Sequence, residues 1–176
     1  MKNKNWEQVT AAGDYVKLPP DWYVLVIKGV NDVPKSEYLQ VVYDVAEGDY
    51  KGHYAKDEDW RRTTNWSYGD KAEGFFKSRL VALEESNPGF SIAKWQQESN
   101  ERDFIGLIFG AAIQKRYYTN NQGEDKEALE VAKVVSADTA REYHESGEPL
   151  PTPRDTRAKV DTTASSSAFD DDVPFK

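Results

Sequence analysis

The stretch Tyr38-Leu39-Gln40-Val41-Val42-Tyr43-Asp44-Val45-Ala46 alternates residue by residue. Leu39, Val41, Tyr43 and Val45 fall on one face and Tyr38, Gln40, Val42 and Asp44 on the other, because successive side chains of an extended chain point to opposite sides. That is the pattern of a half-buried strand. Upstream, Trp22 to Val30 reads Trp-Tyr-Val-Leu-Val-Ile-Lys-Gly-Val, rich in β-branched and aromatic residues, behind an extended Leu18-Pro19-Pro20 entry. It predicts a first strand that pairs with the second across a loop holding Pro34 and Lys35. Glu47 to Gly52 then forms a turn with two glycines able to take positive φ, and His53-Tyr54-Ala55 starts a short third strand.

Working outward, Asp57 to Tyr68 has no apolar period and reads as an aromatic and basic loop. Lys71 to Glu85 spaces Phe75, Phe76, Leu80 and Leu83 three to four apart and stops before Ser86-Asn87-Pro88-Gly89, which predicts an amphipathic helix. A loop from Phe90 to Arg102 includes Trp95. Phe104 to Tyr118 is a long strand with glycines at 106 and 110, Asn120 to Asp125 a hairpin turn, and Ala128 to Ser136 the returning strand. A short helix is expected from Asp138 to His144. The expected architecture is mainly β: three strands, one helix, two strands. This is the element order of a five-stranded oligonucleotide-binding (OB) barrel, whose helix lies between strands 3 and 4. Residues 1–144 make that domain. Residues 145–176, with Pro149, Pro151, Pro153 and a Thr- and Ser-rich run, are expected as a disordered linker and acidic tail.

The chain of 176 residues is long enough for one domain with a real core. No apolar run approaches the roughly 20 residues that cross a bilayer, and the Met-Lys-Asn-Lys start lacks a signal h-region, so a cytoplasmic protein away from membranes is expected. There is no cysteine, and the two histidines, His53 and His144, are far apart, so neither disulfides nor a zinc site is expected. The net charge is -8. From Glu145 onward four basic residues face seven acidic ones, leaving 19 basic and 24 acidic before it. Any polyanion-binding groove must therefore be a local basic stripe on an acidic body.

Two stretches combine cations with flat π-surfaces, the ingredients for binding single strands without sequence preference. Trp60-Arg61-Arg62 with Trp66 and Tyr68 lies on one loop, and Lys115-Arg116-Tyr117-Tyr118 ends a strand beside a hairpin. In an OB barrel the second and third strands and two flanking loops line the groove, which adds Lys35, Tyr38 and Gln40. Large aromatics also cap cores, so about half of those named are expected to be structural. Arg61 and Arg62 have Asp57, Glu58 and Asp59 beside them as ready partners.

The C-terminal run Ala-Phe-Asp-Asp-Asp-Val-Pro-Phe-Lys, residues 168–176, resembles the acidic tip of bacterial and phage single-stranded DNA-binding proteins, which ends in Pro-Phe and recruits replication and repair enzymes. The resemblance implies partner binding by Asp170, Asp171, Asp172, Val173, Pro174 and Phe175, although Lys176 displaces the terminal carboxylate by one position. A second resemblance is to phage and mobile-element proteins of single-stranded DNA-binding role. It rests on Leu18-Pro19-Pro20, Glu47 to Gly52, Phe75-Phe76-Lys77, Glu85 to Gly89, Phe109-Gly110 and Arg116-Tyr117-Tyr118. Together they imply a non-enzymatic single-stranded DNA-binding protein of phage replication, recombination or repair. It would act in a bacterial host cell, without a cofactor or catalytic metal, with replication or recombination proteins as partners and room for a homo-oligomer.

Gly29 to Ser36 is one glycine short of a phosphate-binding loop. Pro34 stands where that glycine belongs, has no N–H to give, and precedes a strand rather than a helix, so nucleotide hydrolysis is not expected. Asp44, Glu47 and Asp49 could imitate a nuclease metal site, but strand-end turns collect such residues anyway. The other reading kept open is an acidic DNA mimic that blocks a host nucleic-acid enzyme.

Overall fold

The computed structural model describes residues 5–8 and 16–158. Its framework is an antiparallel sheet in the order β3-β2-β1-β4-β5, formed by β1 (Asp21–Val33), β2 (Tyr38–Val45), β3 (Thr63–Ser67), β4 (Ile108–Thr119) and β5 (Asp125–Val135). Helix α1 (Glu73–Ser86) and a short turn of helix, α2 (Ile92–Trp95), lie between β3 and β4. Helix α3 (Ala137–Ser146) follows β5, and a two-residue strand, β6 (Arg154–Asp155), pairs parallel with β4. Among the described residues no helix is long and apolar enough to cross a membrane.

β1 serves two neighbours in turn. Its first half, Asp21 to Val26, pairs with β4, and Leu25 to Val33 pairs with β2. The β1–β2 register slips between Ile27 and Gly29, leaving Lys28 as an extra residue, and such a bulge bends the strand that carries it. The bend turns both ends of the sheet over one core. Trp66 of β3 sets its ring 5.4 Å from that of Phe109 of β4, and Leu129 and Val131 of β5 pack on the same cluster.

The expected barrel is not closed by strand pairing. Among the described residues no ladder joins β3 to β5, so the sheet is open between them. Helix α1 packs against both of these strands and fills part of the opening. Its stripe is Phe76, Leu80 and Leu83, one per turn; Phe75, expected on the same face, lies about 100° round and is 70% exposed. Asn87 ends the helix by donating to the carbonyls of Leu83 and Ile108 and accepting from the Ile108 amide.

The core face of β2 appears as expected, with Leu39, Val41, Tyr43 and Val45 all buried; on the other face Tyr38, Gln40 and Val42 are half-buried but Asp44 is buried as well. Three assignments shift. Residues 53–55 form turns rather than a strand, and the third strand is Thr63–Ser67, inside the stretch expected to be a loop. Its single inward aromatic, Trp66, was masked by the polar residues around it. Phe104 belongs to a turn before β4, not to the strand. The turn at 47–52 does use positive φ at Gly48 and Gly52.

Gly110 has a packing role. A Cβ there would strike the Ser136 carbonyl oxygen and stand 2.6 Å from the Ala140 methyl, so its absence is what lets the start of α3 rest on β4. Ser136 caps that helix by accepting the Thr139 amide. The chain after α3 also departs from expectation. Of residues 147–158, read as part of a flexible linker, Gly147 and Glu148 close α3, and Pro151 to Ala158 contact β4 from Gln114 to Thr119, past its last pair with β1.

Candidate nucleic-acid interface

β4 outruns β1. Its last partner on β1 is the Ile113–Asp21 pair, and it continues to Thr119 as a ribbon with β5. On this ribbon Lys115, Arg116 and Tyr118 meet Glu127, Ala128 and Leu129. Opposite them lie Lys17, Leu18, Pro19 and Pro20 from the segment before β1, and Tyr54 and Arg61 from the loop between β2 and β3. Together they line a cleft of about 620 Å³. The cleft sits between the loop that precedes β3 and the β4–β5 ribbon.

Both non-ribbon walls are held by named contacts. The Tyr23 hydroxyl donates to the Pro19 carbonyl at 2.5 Å, which pins the Leu-Pro-Pro segment, and Leu18 plugs into the core. The β2–β3 loop is organised by Asp44, whose Oδ1 accepts the amides of Val45 and Tyr54 at 2.7 and 2.9 Å. Its other oxygen faces Arg62 Nη1 at 3.8 Å. Tyr54 therefore sits buried in the cleft lining, its ring edge-on to Tyr43, whose phenol pKa is raised by burial.

Among the described residues that line the cleft are four cations, Lys17, Arg61, Lys115 and Arg116, and one carboxylate, Glu127, which lies 3.6 Å from Lys115. On a chain of net charge -8 this is a local inversion of sign. The Arg116 guanidinium lies over the Tyr118 ring at 4.8 Å from its centroid, a cation–π pair that holds a charge and a flat face side by side. Tyr118 is half-buried.

The structure thus brings together Arg61, Lys115, Arg116 and Tyr118 of the residues singled out in the sequence. Lys17 and Tyr54 join them without having been anticipated. Lys17 carried the only available signal, a cation beside the Leu-Pro-Pro entry.

Trp66, Arg62, Lys35, Tyr38 and Gln40 are elsewhere. Trp66 is fully buried against Phe104 and Phe109 and offers no face to a base. Arg62 is a structural cation, paired with Asp44 and with Asp59 at 3.0 Å. Lys35 is exposed at the β1–β2 hairpin, beyond Val33 at the far end of a 13-residue strand from Pro20. Tyr38 and Gln40 are half-buried on β2 near that end, paired with Ser67 and Asn65. Trp60 stands in the helical turn Asp59–Arg61. The tip Asp170, Asp171, Asp172, Val173, Pro174 and Phe175 lies outside the described residues.

The trio Asp44, Glu47 and Asp49 does not converge on a vacant centre. Asp44 faces Arg62, and Glu47 forms a two-point pair with Arg141 of α3 at 2.7 and 2.9 Å. That pairing holds the Glu47 carboxyl below its ordinary range. No group of three or more His, Cys, Asp or Glu suited to a metal ion occurs among the described residues. Neither the models of known protein families nor the curated proteins give a match to this chain.

Proposed function

We propose that this protein binds single-stranded DNA in the cleft between the β4–β5 ribbon and the β2–β3 loop, as a non-enzymatic component of phage-type replication or recombination. The observation that carries this reading is the gathering of Lys17, Arg61, Lys115 and Arg116 with Tyr118 in one cleft of an anionic chain. Phosphates meet the cations, a base stacks on Tyr118, and the apolar floor of Leu18, Pro19 and Leu129 takes sugar and base edges. The open order β3-β2-β1-β4-β5 supports this reading, since an OB barrel left unclosed between its third and fifth strands would have it. The acidic run at 170–175, by its resemblance, supplies the means of recruiting replication or recombination enzymes to the bound strand, in a bacterial host cell.

The test is a salt titration of anisotropy with a labelled oligothymidylate. Three or four phosphate contacts on a single strand give a slope of log K against log salt of roughly -2 to -3. No binding at low salt defeats the reading. The second reading, an acidic mimic of DNA, is favoured by the net of 24 acidic against 19 basic residues before Glu145. It predicts no oligonucleotide binding, and capture of a basic nucleic-acid enzyme that added DNA reverses.

A further inference from the structure

Lys115, Arg116, Tyr118 and Glu127 to Leu129 all ride on the part of β4–β5 that extends past Ile113, where β1 no longer supports β4. An isolated two-stranded ribbon is marginally stable in water. Here the free edge of β4 is taken up by the chain after α3. Arg154 and Asp155 pair with Arg116 and Tyr117, and the Thr156 amide donates to the Tyr117 carbonyl at 2.9 Å. The Gln114 side-chain amide donates to the Pro151 carbonyl at 2.9 Å, and the Ala158 amide to Thr119 Oγ1 at 3.2 Å. Side chains clamp the same segment. Arg154 pairs with Glu130 of β5 at 2.7 Å, and Arg157, held by Asp155, lies over the Tyr117 ring at 4.9 Å. The Trp22 indole fixes its start by donating to the Glu148 carbonyl.

We infer that residues 148–157 are a strap that positions the binding cleft: they make the ribbon three-stranded and so hold Arg116 and Tyr118 in register with Arg61 and Lys17 across the gap. This rests on the nucleic-acid reading of the cleft. The strap touches the cleft residues through their backbone, so it acts on affinity through order rather than charge. Releasing it makes a bound strand bear the cost of ordering the ribbon. By linkage, a bound strand holds the strap down in turn.

The experiment uses the full chain carrying Thr156→Pro, which removes the donor to Tyr117, and a Gln114→Ala/Thr156→Pro double variant. Amide exchange at Lys115–Thr119 and Asp125–Leu129 is measured alongside oligothymidylate affinity and its salt slope. The expected result is faster exchange on the ribbon, about a tenfold loss of affinity, and a salt slope unchanged from the parent chain. An unchanged slope separates the strap from a phosphate contact. Unchanged ribbon exchange in the double variant, or faster exchange with unaltered affinity, overturns the inference. If the unaltered chain binds no oligonucleotide, the failure falls on the nucleic-acid reading, and the exchange measurement alone decides whether the strap orders the ribbon.

Discussion

Arg116 and Tyr118, two residues apart on β4, stack with the guanidinium 4.8 Å from the ring centroid, at the edge of a cleft that also holds Arg61 and Lys115. The pair joins the two chemistries that a single strand presents, charge and π-face. Separate substitutions should split them. Arg116→Ala lowers affinity for every oligonucleotide sequence alike and makes the salt slope shallower by about 0.7, one phosphate contact on a single strand. Tyr118→Ala costs about 1–3 kcal/mol of binding and leaves the slope in place. Anisotropy at several salt concentrations reads both.

Trp66 belongs to the core, so its loss should appear in stability. Trp66→Ala removes a fully buried ring from between Phe104 and Phe109 and should cost about 3–5 kcal/mol in urea unfolding. The fraction that remains folded should bind oligonucleotide as before.

The Asp44–Arg62 pair should be asymmetric. Asp44 retains two backbone donors, whereas Arg62→Ala leaves its carboxylate buried without a cation. Arg62→Ala should cost about 3 kcal/mol in chemical denaturation. Arg62→Lys restores the charge but not the reach to both Asp44 and Asp59, and should recover only part of it.

Gly110→Ala should destabilise by about 1–3 kcal/mol, because the new methyl meets the Ser136 carbonyl of the backbone rather than a yielding side chain. Thermal unfolding checks this. The same substitution at Gly74, where a Cβ meets nothing, should be stabilising or neutral, since alanine is the better helix former.

The tie between Glu47 and Arg141 carries a pH signature. The Arg141 hydrogen bonds depress the folded-state pKa of Glu47 below its unfolded value. Its contribution is therefore complete above the ordinary glutamate range and is lost as pH falls through the depressed folded value. Both side chains are more than 40% exposed, so the amount is under about 1 kcal/mol. Melting temperatures of the parent chain and Glu47→Gln should differ at neutral pH and converge in acid; a constant difference would contradict the assignment.

The sequence by itself determined β1, β2, α1, the β4–β5 hairpin and α3, and the core face of β2; it read β3 as loop and set Asp44 on the polar face. The period-two run at 38–46, the Phe76-Leu80-Leu83 stripe and the Asn120–Asp125 turn report local backbone geometry, which neighbouring residues set between them. It also placed Arg116 and Tyr118 together, since residues two apart on a strand share a face. Only the tertiary structure decided the rest. Whether Arg62 is a ligand or a structural cation depended on Asp44, 18 positions away in the chain and hidden in an alternating strand where it looked solvent-facing. Whether β3 met β5, and whether residues 148–157 hung free or lined β4, depended on backbone donors and acceptors that every residue carries alike. Identity leaves almost no mark on such pairings. They are chosen by which edges the folded chain leaves unpaired, and in this protein β1 begins only at Asp21, opposite Ile113, leaving the edge of β4 beyond it open for Arg154 and Asp155.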